Sequence, residues 1–99
     1  VYAHNDDMAL GAIQAIQEAG LAPGKDITVI SVDGVKPAFE AMVEGKLNAT
    51  VECNPLLGPM VFDAVEKLAA GGSVEKRMIV KDQIFEMAQA KDVITTRQY

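Results

Sequence analysis

Short apolar runs alternate along this chain with segments whose apolar residues recur every three or four positions, and polar or glycine breaks separate them with little linker. Such a rhythm predicts a parallel sheet covered by helices. Val1 to Ala3 reads as the tail of a strand, and Asn5, Asp6 and Asp7 supply side-chain oxygens suited to the free N–H groups of a helix start. Met8, Ala9, Ala12, Ile13 and Ile16 then form one helical face, which Gly20 ends. After the Pro23-Gly24 turn, Ile27 to Val32 is apolar and β-branched, as expected of a strand buried on both faces. Asp33-Gly34 ends it, and Pro37 suits the first turn of a second helix carrying Phe39, Met42 and Val43 up to Gly45.

A third strand is predicted over residues 48–53. It stops before Pro55, which cannot donate to a ladder. Leu57, Val61, Val65 and Leu68 mark a third helix closed by Gly71-Gly72. Met78 to Val80 and Ile84 to Met87 each suit a short strand, and Ala88 to Tyr99 reads as a tail with local structure. The chain opens on Val1, inside a strand pattern, so we expect it to be a piece of a longer sequence.

Composition narrows the function classes. With 99 residues and 49% apolar content there is room for one ordinary domain. Only five aromatics are present, which makes its core thin. Nine basic residues against fourteen acidic ones, the basic ones scattered singly, argue against a groove for nucleic-acid backbone. The single cysteine, Cys53, excludes an internal disulfide, a CxxC pair and a cysteine-rich zinc site. No run approaches the roughly 18 apolar residues of a membrane span. Gly71-Gly72-Ser73 lacks the P-loop ending and no GxGxxG follows a strand, so no cofactor is expected.

Ligands of parallel sheets bind beyond the carboxyl ends of the strands. Three such ends are readable: His4 to Asp7, Asp33-Gly34, and Glu52 to Pro55. Asn5 offers a donor and an acceptor, whereas ionised Asp33 only accepts and can take hydrogen bonds from two hydroxyls at once. That chemistry suits a polyol. Each residue also has a plainer role: Asn5 and Asp6 as helix caps, Asp33 as a turn residue, and Asp6-Asp7 as a solvated helix start favoured by the helix dipole. Asn54 adds further donors. His4 has no second ligand at metal spacing, and a Cys53–His4 nucleophile pair lacks a third, orienting group.

The blocks Asn5-Asp6-Asp7-Met8-Ala9-Leu10-Gly11-Ala12, Ile27 to Gly34, and Glu44 to Val51 resemble the carboxyl-terminal part of the type I periplasmic sugar-binding proteins. These are the receptors of ABC importers, of the ribose- and galactofuranose-binding kind. The resemblance implies an incomplete α/β parallel-sheet sandwich lobe, Rossmann-like. Residues 1–55 would be part of the carboxyl-terminal sugar-binding lobe, and 56–99 a helix and crossing segments belonging partly to the other lobe, plus a tail. It further implies a monosaccharide in an interlobe cleft, an ABC permease as membrane partner, and an upstream remainder of the chain. The location would be the periplasm, or the outside of a Gram-positive cell as a lipoprotein.

Asn5 and Asp33 stand where family members hydrogen-bond the sugar. Ribose-binding members place a glutamine where this chain has Cys53, which leaves Glu52, Cys53 and Asn54 as candidates for a third contact. The ending Thr96-Arg97-Gln98-Tyr99 looks like the terminus of the galactofuranose-like branch. The effector-binding domain of a LacI-type regulator shares the fold and the Asn-Asp-x-Met-Ala pattern. It differs after Asp33, where regulators carry an Asp-Asp or Asp-Asn pair and a Pro-Leu-Thr-Thr-Val run.

Overall fold

A computed structural model describes residues 1–99. Helix α1 (Asp6–Glu18) follows the first apolar stripe and buries Ala9, Ile13 and Ile16. Strand β1 (Ile30–Asp33) leads into helix α2 (Lys36–Val43), whose first turn holds Pro37 and which buries Ala38, Phe39, Ala41 and Met42. Strand β2 (Ala49–Glu52) pairs in parallel with β1, placing Asp33 opposite Glu52. On the other side of β1, Tyr2 bridges Ile30 in parallel through Ala3 N to Ile30 O (2.9 Å) and Ile30 N to Val1 O (3.0 Å). Three chain segments thus run the same way, and their carboxyl ends share one edge.

Both α1 and α2 lie on the same face of the sheet. Val29, Leu47 and Phe85 join them in the core, with Phe39 and Phe85 edge to face at 5.2 Å between centroids. The opposite face is bare: Ile30, Val51 and Ile84 project from it, 40%, 38% and 65% exposed. The expectation of a strand buried on both faces is therefore corrected. One helical layer covers one side of a sheet and nothing in these residues reaches the other.

Beyond β2 the chain departs from the sheet. Helix α3 (Gly58–Ala69) buries none of its residues, and its stripe of Val61, Phe62, Val65 and Leu68 faces outward. The molecule is consequently elongated, 61 × 24 × 15 Å. Met78 to Val80 form no strand, because no neighbour lies alongside to pair with them. The returning chain forms β3 (Ile84–Glu86), which pairs with β2 antiparallel, Thr50 opposite Phe85. A 3₁₀ turn (Met87–Gln89) and the short helix α4 (Ala90–Val93) follow, with Ala90 buried against α2. The segment read as a tail is thus folded back onto the domain through Tyr99.

Candidate functional site

The edge of aligned strand ends is organised around a carboxylate that its sequence position disguises. Asp6, expected as a cap or a solvated helix start, is completely buried. Its Oδ1 accepts from the hydroxyls of Ser31 and Thr50 (2.8 Å for Thr50), and its Oδ2 from the backbone N–H groups of Gly34 (2.7 Å) and Val35 (2.8 Å). Four donors compensate a charge that would otherwise be costly to bury. Asp6 therefore ties the start of α1 to β1, β2 and the loop into α2.

Capping falls to Asn5 instead. Its Oδ1 accepts from Met8 N at 2.8 Å, so the oxygen is occupied while the side-chain amide keeps both donors free. Asn5 is half-buried, on the strand end next to β1.

Asp33 has the most unusual backbone of the chain, with φ of 121°, the only positive value outside glycine. Such a conformation costs a side-chain-bearing residue about 1–3 kcal/mol and persists only where the surroundings impose it. They do so here through hydrogen bonds at both polar ends of the peptide that follows it: Cys53 N–H donates to Asp33 O at 2.9 Å, and Gly34 N–H donates to Asp6. The Asp33 carboxylate is half-buried and accepts no hydrogen bond from the chain. It is left with its full accepting capacity at the sheet edge.

The three candidates on β2 and beyond separate according to the pleat. Glu52 turns to the buried side with Thr50, where its Oε1 meets Arg97 Nη1 at 2.7 Å and the Tyr99 hydroxyl at 2.8 Å. Burial opposes its ionisation, but the Arg97 and Tyr99 hydrogen bonds and the Arg97 charge outweigh that, holding the carboxyl below its ordinary value. Burial, aided by the hydrogen bond to Glu52 and only partly offset by Arg97, pushes the Tyr99 hydroxyl up to about 12. Cys53 turns the other way and is exposed. Asn54 accepts from Leu56 N at 2.8 Å through its Oδ1 and borders a recess of about 160 Å³ that Glu52, Arg97 and Tyr99 also line. The structure thus brings Asn5, Asp33 and Cys53 to one edge with open side chains, and spends Glu52 on the carboxyl-terminal segment. His4 is exposed and packs edge-on against Tyr2, centroids 5.1 Å apart.

Residue pattern gave Asp6 only as a cap or solvated helix start, and Arg97 only as part of the carboxyl-terminal ending. The Asp6 acceptor bonds and the Arg97 bonds to Gly34 and Glu52 link residues 25 to 63 positions apart, so only tertiary contact reveals them.

Comparison with known proteins agrees with this architecture. Residues 1–77 match the periplasmic binding protein-like domain family. A galactofuranose-binding protein of Escherichia coli is 46% identical over 99 residues, which is 99% of this chain and 31% of that protein. A structure from Mycobacterium smegmatis in complex with β-D-fucofuranose superposes with a TM-score of 0.93 at 48% identity, over 100% of this chain and 33% of the other. The binding-protein component of an arabinose ABC transporter from Shewanella sp. ANA-3, bound to α- and β-L-arabinofuranose, gives 0.90 at 46% identity, over 99% and 33%. The chain spans about a third of the length of these relatives. Its fold is that of a type I periplasmic binding protein lobe, and the chain belongs to the periplasmic binding protein-like domain family.

Proposed function

We propose that this chain is the carboxyl-terminal part of a sugar receptor of an ABC importer, binding a monosaccharide in the furanose form and delivering it to a membrane permease from the periplasm. The observation that carries the proposal is Asp33. Its strained backbone is held by hydrogen bonds from Cys53 and to Asp6, yet its carboxylate is unpaired at the edge where Asn5 holds two free amide donors. An acceptor-only group and a donor at one edge suit adjacent sugar hydroxyls, which both give and accept. Relatives of high identity carry galactofuranose or arabinofuranose in their names, which supports the ring form. Cys53 stands at the same edge as a third contact, with Asn54 beside it.

In this proposal residues 1–55 belong to the sugar-binding lobe and 56–99 partly to a second lobe. The uncovered stripe on α3 supports that division, because burying Val61, Phe62, Val65 and Leu68 is worth about 1.5–3 kcal/mol for each side chain. Contacts from two lobes to one sugar favour the closed form and couple binding to closure. Calorimetric titration of the full-length protein with galactofuranose, arabinofuranose and ribose tests the proposal. We expect at least one to bind, and Asp33→Ala to weaken it by about 1–3 kcal/mol, roughly 5- to 140-fold. Binding of no sugar, or an Asp33→Ala variant with wild-type affinity, refutes it.

A further inference from the structure

Gly34 lies between two peptide planes, and each is held at both of its polar ends. In the first, Asp33 O accepts from Cys53 N–H and Gly34 N–H donates to Asp6. In the second, Val35 N–H also donates to Asp6, and Gly34 O accepts from Nε of Arg97. Arg97 reaches this carbonyl from the opposite end of the sequence, 63 residues away.

The guanidinium is fixed on every side. Beyond Gly34 O it donates through Nη1 to Glu52 (2.7 Å) and through Nη2 to the Tyr99 hydroxyl (2.6 Å), which itself donates to the same Glu52 oxygen. It stands 4.1 Å from the Tyr99 ring centroid and 5.0 and 5.3 Å from those of Phe39 and Phe85. The backbone oxygen of Tyr99 accepts from Lys36 N at 2.7 Å, which anchors the same segment to the start of α2. Its side chain is only 8% exposed, so Arg97 acts on the loop rather than on whatever occupies the edge. Gly34 is matched to this contact. It adopts φ of 80°, and a Cβ there would lie 2.5 Å from Arg97 Nη2.

We propose that Arg97 is a positioning residue for Asp33: by holding the Gly34 carbonyl it fixes the second peptide plane of the loop that keeps Asp33 at positive φ, so that sugar affinity depends on a buried carboxyl-terminal side chain. The proposal rests on the sugar-binding role of Asp33. Lysine cannot replace it, since an ammonium on a flexible stem does not span three acceptors in the fixed fork that guanidinium provides.

The test uses the full-length protein with two readouts. Amide hydrogen exchange in the sugar-free protein follows Val35 and Lys36, and calorimetry with whichever of galactofuranose, arabinofuranose and ribose binds the wild-type protein most tightly follows affinity. For Arg97→Gln and Arg97→Lys we expect both amides to exchange at least tenfold faster and affinity to fall at least tenfold. Tyr99→Phe, which keeps the ring and removes one anchor of the guanidinium, changes both two- to fivefold and covers the case in which the Arg97 variants do not fold. In an Asp33→Ala background the Arg97 substitutions cost less than twofold further, because the group they position is gone. Exchange at the wild-type rate overturns the proposal, as does lowered thermal stability with unchanged affinity, or an Arg97 effect of full size in the Asp33→Ala background. If no sugar binds the wild-type protein, it is the receptor function that falls, and the exchange readout still decides whether Arg97 holds the loop.

Discussion

Replacing Asp6 by alanine removes one acceptor group from four donors at once. Two of them, the N–H groups of Gly34 and Val35, belong to the backbone and cannot turn away, and the hydroxyls of Ser31 and Thr50 lie in a fully buried layer between α1 and the sheet. A hydrogen bond to a charged group contributes about 1.5–3 kcal/mol net, and each buried donor left alone costs about 1–3 kcal/mol. Relaxation lets the hydroxyls find other partners, so the two backbone donors dominate, and we expect Asp6→Ala to cost about 3–5 kcal/mol. Asp6→Asn provides the control. Its carbonyl oxygen can keep both backbone bonds, and its amide can donate to hydroxyls that rotate to accept, so each of the four groups keeps a partner at the loss of the charge and of the hydroxyls' donation to residue 6. That exchange should cost about 1–2 kcal/mol. Urea unfolding of the full-length protein, followed by circular dichroism at constant slope, measures both values. An Asp6→Ala variant within about 1 kcal/mol of wild type, or one no worse than Asp6→Asn, would show that the carboxylate does not organise the edge.

The Glu52–Arg97–Tyr99 cluster makes stability depend on pH at both extremes. The Glu52 carboxyl is lowered from its ordinary 4.5, so its contribution is complete above that value and is lost as pH falls through the lowered one; Tyr99 is raised from 10.0 to about 12, so its contribution is complete below 10.0 and is lost as pH climbs toward 12. Melting temperatures of wild type and Glu52→Gln should therefore converge in acid, and Tyr99→Phe should lose the alkaline fall between those two values. Parallel pH profiles would rule the cluster out. On α3, Phe62 is 70% exposed. If a second lobe covers that stripe in the full-length protein, Phe62→Ala destabilises it by about 3–5 kcal/mol, and a change below about 0.5 kcal/mol marks the face as solvent-exposed.

Helices α1, α2 and α3 and the two parallel strands were legible because each is written in local terms: apolar spacing, a proline in the first turn of α2, glycines after the helix ends. The shared edge of Asn5, Asp33 and residues 52–54 followed from the shared direction of parallel strands, whose carboxyl ends gather at one edge. What failed to show was anything whose meaning depends on a distant partner. An aspartate at a helix start reads the same whether it faces water or, like Asp6, a buried Ser31 and Thr50. Arg97 reads as one basic residue in a polar ending until Gly34, Glu52, Phe39 and Phe85 surround it. The antiparallel entry of β3 was equally hidden, since the residue types of a three-residue strand carry no direction.

Ile30 and Val51 mark the boundary between the two kinds of information. Their alternation and β-branching identify strands of an interior sheet, and that much the amino-acid order determines alone. Whether a second layer covers them depends on which other surfaces come within a few ångströms, and here one face is packed and the other bare. The same holds at the edge. Order along the chain places Asp33 at a strand end beside a glycine. Only the tertiary structure turns its backbone to φ of 121° and frees its carboxylate, because that conformation is unfavourable in isolation and stands only while Asp6, Cys53 and Arg97 grip the peptide planes that follow it.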